Sequence, residues 1–172
     1  MLSLQIMLKE LKLACFSLHL EAFQQQAIDQ TWSHTDFLAK LCEQELARRF
    51  QARILKWTRE AKLPAGKSFA SLKMEHLPKS VKHRVLQLKD NHQWALQADN
   101  ILLIGLAGVG KSHLAAALSH QLIQSGVLVK WLTATALVQQ LQQAKQELAL
   151  MAYMTRLDKY RVIVIDDIGY VK

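Results

Sequence analysis

Asn100-Ile-Leu-Leu-Ile-Gly-Leu-Ala-Gly-Val-Gly-Lys-Ser112 decides how the rest of this 172-residue sequence is read. Ile101 to Ile104 is a short apolar run that predicts a buried strand. Gly105 to Gly110 is a loop with three glycines, and a helical pattern follows from His113. Gly105, Gly110, Lys111 and Ser112 meet the G-x-x-x-x-G-K-[ST] spacing of a phosphate-binding loop. Glycines let the backbone wrap a polyphosphate closely, so that successive N–H groups of Gly105, Leu106, Ala107, Gly108, Val109 and Gly110 point inward. The helix that begins there adds its unpaired N–H groups, His113 among them, and its positive dipole end. Lys111 is expected to reach the β- and γ-phosphates of ATP, and the Ser112 hydroxyl to ligate Mg²⁺.

Downstream, His113–Ser125 reads as helix and Gly126 as its C-terminal cap. Val127–Leu132 reads as a second strand, and Thr133 to about Asp158 as mostly helical. Arg161-Val-Ile-Val-Ile165 then forms a buried strand that ends in Asp166-Asp167. Strand, loop, helix, strand, helix, strand is the α/β alternation of a parallel sheet. Acids at the carboxyl end of such a strand lie where these sheets bind ligands. Asp166 is therefore the expected Mg²⁺ ligand. Asp167 is expected to orient the attacking water, which pairs it with Lys111 as the catalytic set. Neighbouring strand residues face opposite sides unless the strand is ending, so the two acids should differ in role.

Upstream of the loop the sequence is helical. Leu2 to about Gln30 carries Leu4, Leu8, Leu11, Cys15 and Leu18 at spacings of three and four. Ser33–Asp36 offers a cap for a longer helix with the stripe Leu38, Cys42, Leu46, Phe50 and Ile54, flanked by Leu41 and Trp57. Pro64-Ala-Gly66 breaks it. The expected organisation is an N-terminal helical domain over 1–66, a basic helical linker over 67–98, and a partial ATPase core over 99–172.

The formal net charge of +8 is unevenly placed. Residues 1–47 hold Lys9, Lys12 and Lys40 against six acids, while residues 48–89 hold twelve basic residues against only Glu60 and Glu75. Arg48, Arg49, Arg53, Lys56 and Arg59 follow the second half of the long helix, with Lys82 and Arg84 in a second cluster. So many cations with so few carboxylates between them fit a phosphate-backbone surface for duplex DNA better than a plain solvated face. Trp57, Phe69 and Trp94 are expected in cores. Cys15 and Cys42 lack metal-ligand spacing, and none of the seven histidines forms a metal pattern. No apolar run approaches the ~20 residues that span a bilayer, and the expected location is the cytosol.

Several segments together resemble one family. These are GLAGVGKSHLAAAL (105–118), WLTATALVQQLQQA (131–144), YRVIVIDDIGY (160–170), LKELKLACFSLHLEAF (8–23), LKWTREAKLP (55–64) and NILLIG (100–105). They look like the IstB-like transposition helper ATPases, AAA+ proteins related to the DnaC-type helicase loaders. The resemblance implies an ATP-dependent DNA-binding helper that forms homo-oligomers and works with an insertion-sequence transposase, with no membrane role. It also implies that the ATPase domain would continue past Lys172 with a sensor strand, an arginine finger and further elements. The fourth strand of that fold lies between Ile101–Ile104 and the strand ending at Asp166. Without it, those two strands lose a shared neighbour, and hydrolysis by this chain should be impaired. A helicase loader and a non-hydrolysing remnant are the alternatives.

Overall fold

Ser33 and Asp36 open the longest helix reciprocally. In the computed structural model, which describes residues 3–170, the Ser33 amide and hydroxyl donate to Asp36 Oδ2 at 3.1 and 2.6 Å. Asp36 N donates back to Ser33 Oγ at 3.1 Å, a capping box with aspartate as the reaching acid. The helix, α3, runs His34–Ala61. Lys62 then turns left-handed at φ +55°, and Pro64 prevents resumption.

The chain divides into two units, Met1–Leu55 and Lys56–Lys172. In the first, the helical stretch expected up to Gln30 is two helices, α1 (Leu4–Glu10) and α2 (Ala14–Asp29); Leu2 lies outside the described residues. Lys12 adopts φ +57° and Leu13 N donates to Leu8 O at 2.9 Å, which caps α1 without a glycine. The break resets the helical phase. Leu8, Cys15 and Phe16 are buried, whereas Leu4, Leu11 and Leu18 of the expected stripe are exposed. The same correction applies within α3. Leu38, Cys42 and Leu46 are exposed, and the flanking Leu41 packs with Leu8, Phe16 and Phe37. The inward row is half-buried Phe37 with buried Leu41 and Glu45, at steps of four, and a carboxylate as its third member hid it from an apolar count; Ile54 of the expected stripe is buried.

In the second unit, α4 (Lys79–Asp90) and the short α5 (Gln93–Leu96) precede the loop, and α6 spans Lys111–Gln124. Leu114 and Leu118 of α6 join Val85 of α4 in a core that also takes Phe69, Leu72, Met74, Leu77, Leu88 and Leu103. Phe69, Leu72, Met74, Leu77, Val85 and Leu88 of the basic stretch thus pack with the loop's own helix. α6 also buries Ala116, Ala117, Ser119, Leu122 and Ile123. Gly126, at φ +83°, closes α6, with Val127 N donating to Leu122 O at 2.9 Å.

Strand β1 (Val129–Thr133) runs directly into α7 (Ala134–Gln146), whose N-terminus is capped by Thr133 Oγ1 accepting from Ala136 N. α8 (Leu150–Leu157) follows after a left-handed turn at Leu148, and β2 (Val162–Asp166) completes the crossover. β1 and β2 pair in parallel, Val129 opposite Val162 and Thr133 opposite Asp166. The result is a helix-rich fold with a small parallel sheet, in keeping with a P-loop NTPase core.

One expected strand is not formed. Ile101–Ile104 has no ladder partner among the described residues, and Leu102 and Ile104 are 72% and 84% exposed. A single apolar segment gains nothing from strand geometry without a neighbour to accept its backbone hydrogen bonds. β2 is bonded only to β1 among the described residues, and its Ile163 and Ile165 remain exposed. No helix among the described residues is long and apolar enough to cross a membrane.

Candidate functional site

The phosphate loop owes its shape to two glycines and its tightness to a third. Gly108 and Gly110 take φ +79° and +95°, a region that side chains resist. Gly105 has no such φ, but a Cβ there would stand 3.2 Å from Val109 Cγ2. Gly110 is the residue before the first turn of α6, so the loop delivers its N–H groups to the positive end of a 14-residue helix. Lys111 Nζ donates to the carbonyls of Gly105 and Leu106 at 2.9 and 2.8 Å. Its ammonium is held over the loop, where phosphate oxygens can exchange for those carbonyls. A cavity of about 270 Å³ opens here, lined by Lys67, Gly108, Gly110, Lys111, Ser112 and His113.

The two expected metal ligands meet across 54 residues. Ser112 Oγ donates to Asp166 Oδ1 at 2.9 Å. This contact exists because β2 ends at Asp166, level with Thr133 of β1, beside the start of α6. Asp167 then turns away: its φ is +57°, its amide donates to Asp166 Oδ1 at 3.1 Å, and its side chain is exposed. A hydroxyl and a carboxylate oxygen this close are hard ligands of the kind Mg²⁺ takes. No group of three His, Cys, Asp or Glu that could hold a metal occurs among the described residues. The pair fits a cation that keeps several waters and binds substrate phosphates.

His113 does more than continue the helix. Its Nε2 lies 3.1 Å from Ser71 Oγ and 3.0 Å from Ser68 O. The Ser71 hydroxyl donates to Gly66 O at 2.7 Å, which leaves its oxygen as an acceptor. Nε2 therefore carries the proton, and His113 fastens the 66–71 loop to the phosphate-binding helix.

The expected DNA-contacting residues fall in different settings. Arg48 donates to both oxygens of Glu45, at 2.7 and 3.3 Å, and Arg49 to Glu45 Oε1 at 2.7 Å and to Lys12 O at 3.1 Å. The Cys15 amide also donates to Glu45, at 3.0 Å. These bonds, Arg48 first, then Cys15, then Arg49, pull the Glu45 carboxyl down to about 2 against the opposing effect of burial. Both arginines thus hold the first unit together, a commitment invisible in a count of charges. Arg53 stacks over Phe50 at 5.7 Å. In the second unit Lys56 is 3.8 Å from Glu60, and exposed Arg59, Lys82 and Arg84 complete the set. Phe69 lies in the core, as expected.

Three relatives are similar to nearly the whole of this chain. A Sinorhizobium fredii protein named as an insertion sequence ATP-binding protein is 39% identical over 168 residues, covering 98% of this chain and 56% of its own length. An insertion sequence IS21 protein of Pseudomonas aeruginosa, also named for ATP binding, is 29% identical over 167 residues, with 97% and 63% covered. One from IS5376 of Geobacillus stearothermophilus is 30% identical over 165 residues, with 92% and 65% covered. The chain spans 56–65% of the length of these relatives. The model of the IstB-like ATP binding protein family matches residues 6–172, so the chain belongs to that family.

Proposed function

We propose that this chain binds ATP with Mg²⁺ at Gly105–His113 and acts as a helper in insertion-sequence transposition, together with a transposase on duplex DNA. The observation that carries the reading is the 2.9 Å bond between Ser112 Oγ and Asp166 Oδ1. It brings the hydroxyl of one motif to the carboxylate of the other, beside Lys111 and the glycine loop. Ser112 and Asp166 would hold Mg²⁺, which when bound neutralises phosphate charge. Lys111 binds the β- and γ-phosphates, and Asp167 orients water from the exposed side of the turn.

Exposed Arg53, Lys56, Arg59, Lys82 and Arg84 offer DNA its phosphate contacts, and self-association on DNA accompanies nucleotide binding. Titration with a fluorescent ATP analogue tests the core of this reading. Lys111→Ala should weaken binding at least tenfold, since each charge-assisted contact is worth ~1.5–3 kcal/mol. Equal affinities in parent and variant would overturn it.

A further inference from the structure

Lys67 reaches the phosphate cavity from a part of the chain that carries no motif. It follows Gly66, which turns at φ +72°, and it is half-buried among Gly108, Gly110, Lys111, Ser112 and His113. Its loop is fixed to α6 by two independent means. Ser68 O and Ser71 Oγ bond His113 Nε2, and Phe69 packs against the core formed by Val85, Leu114 and Leu118. Lys89 Nζ lies 5.3 Å from the Phe69 ring on the outside. A lysine on a freely moving loop would be one more surface charge, whereas this one is delivered to a defined place.

None of the ion pairs among the described residues includes Lys67 or Lys111. Two lysines therefore line one small cavity beside the glycine loop, with no carboxylate ion partner for either among the described residues. Like charges so placed repel, and the group that relieves the repulsion is a multiply charged anion.

We propose that Lys67 is a second phosphate-binding lysine, contacting the polyphosphate of the nucleotide opposite Lys111, and that His113 is the residue that positions it. The inference rests on the ATP site proposed above and adds to it a ligand from outside the phosphate loop. It has two parts that separate experimentally. Lys67 supplies charge, so Lys67→Arg should retain binding where Lys67→Met does not. His113 supplies position, so its effect should pass through Lys67.

The experiment is equilibrium titration of the parent chain and of Lys67→Met, Lys67→Arg, His113→Ala and the Lys67→Met/His113→Ala double variant with ATP, ADP and adenosine. Thermal unfolding of each variant confirms that it is folded. Lys67→Met is expected to weaken ATP about tenfold or more, to weaken ADP, and to leave adenosine unchanged. Lys67→Arg should stay close to the parent. His113→Ala should weaken ATP, and the double variant should be no weaker than Lys67→Met alone. If ATP binds the parent and Lys111→Ala weakens it while Lys67→Met does not, the inference about Lys67 is wrong and the site stands. Additive losses in the double variant would refute the positioning role of His113. If ATP fails to bind the folded parent, the site itself is wrong.

Discussion

Replacing Gly110 by alanine isolates the conformational demand of the phosphate loop. The added Cβ would meet no atom within 4 Å, so no steric clash confounds the result. What remains is a backbone at φ +95°, ψ 14°, where an L residue costs ~1–2 kcal/mol. The loop can respond in two ways. It can keep its shape and lower the stability of the second unit, or relax and lose aim on the phosphates. The loss in unfolding free energy and the loss in ATP-binding free energy should therefore sum to ~1–2 kcal/mol. Taken wholly in binding that is roughly a 5–30-fold weaker dissociation constant, and wholly in stability a melting shift of roughly 3–10 °C. Gly105→Ala makes the control, because its strain is a 3.2 Å contact with Val109 Cγ2 on an exposed side chain that can move. Its effect should be smaller, and Val109→Ala should relieve it, whereas Val109→Ala should not relieve Gly110→Ala. Calorimetric titration paired with thermal melts reads both quantities. If Gly110→Ala leaves affinity and melting temperature unchanged, the loop does not depend on its left-handed glycine.

Glu45 makes the first unit acid-sensitive. Its folded pKa is depressed to about 2, so its contribution is full above the unfolded value of ~4.3 and fades as pH falls toward the folded one. Amide exchange of α2 and α3 should rise between about pH 4 and pH 2, and Glu45→Gln should flatten that dependence while raising exchange at neutral pH. Ser112→Ala removes the hydroxyl bonded to Asp166 and should cut the Mg²⁺-dependent part of ATP affinity about tenfold, a loss of one charged hydrogen bond. Unchanged Mg²⁺ dependence would take Ser112 out of the metal site. For DNA, Arg53, Lys56 and Arg59 should be changed to alanine together, sparing Arg48 and Arg49, which brace Glu45. Affinity for all duplexes should fall alike, and the slope against log salt should drop by about 0.9 for each DNA phosphate the variant no longer neutralises. Phosphate release by the purified chain is measured against Asp167→Asn as the blank, chosen because asparagine tolerates the left-handed turn at this position. Turnover above that blank, stimulated by duplex DNA, would show a working ATPase.

What the sequence made legible was chemistry bound to fixed spacing. Gly105 to Ser112 and Asp166 needed no tertiary information, because the motif and the end of an apolar strand place them. The elements from α6 to β2 followed from alternating patterns and a capping glycine. The failures share a cause in side chains acting against type. Lys12 and Leu148 turn left-handed without being glycine, so nothing in composition marks where α1 gives way to α2 or α7 to α8. Glu45 occupies a core position, and the arginines read as nucleic-acid contacts are partly its counter-charges. Lys67 and Ser71 gave no signal, since only folding brings the 66–71 loop onto His113. Ile101–Ile104 was read as a strand on composition, but strand formation is a property of a pair.

Ser112 and Asp166 also tie ligand binding to the seating of the sheet. Asp166 rides on β2, whose only ladder partner among the described residues is β1. Whatever bridges Ser112 and Asp166 therefore favours the arrangement with β2 in place, and mass action rewards that arrangement in proportion to ligand. A ligand at 100 times its dissociation constant adds ~2.7 kcal/mol to the state that binds it. For a two-stranded sheet with an uncovered side, that increment is comparable to burying a large apolar side chain. A nucleotide bound as proposed would be as much a structural component of the sheet as a passenger on it, and the order of β2 would track the nucleotide supply.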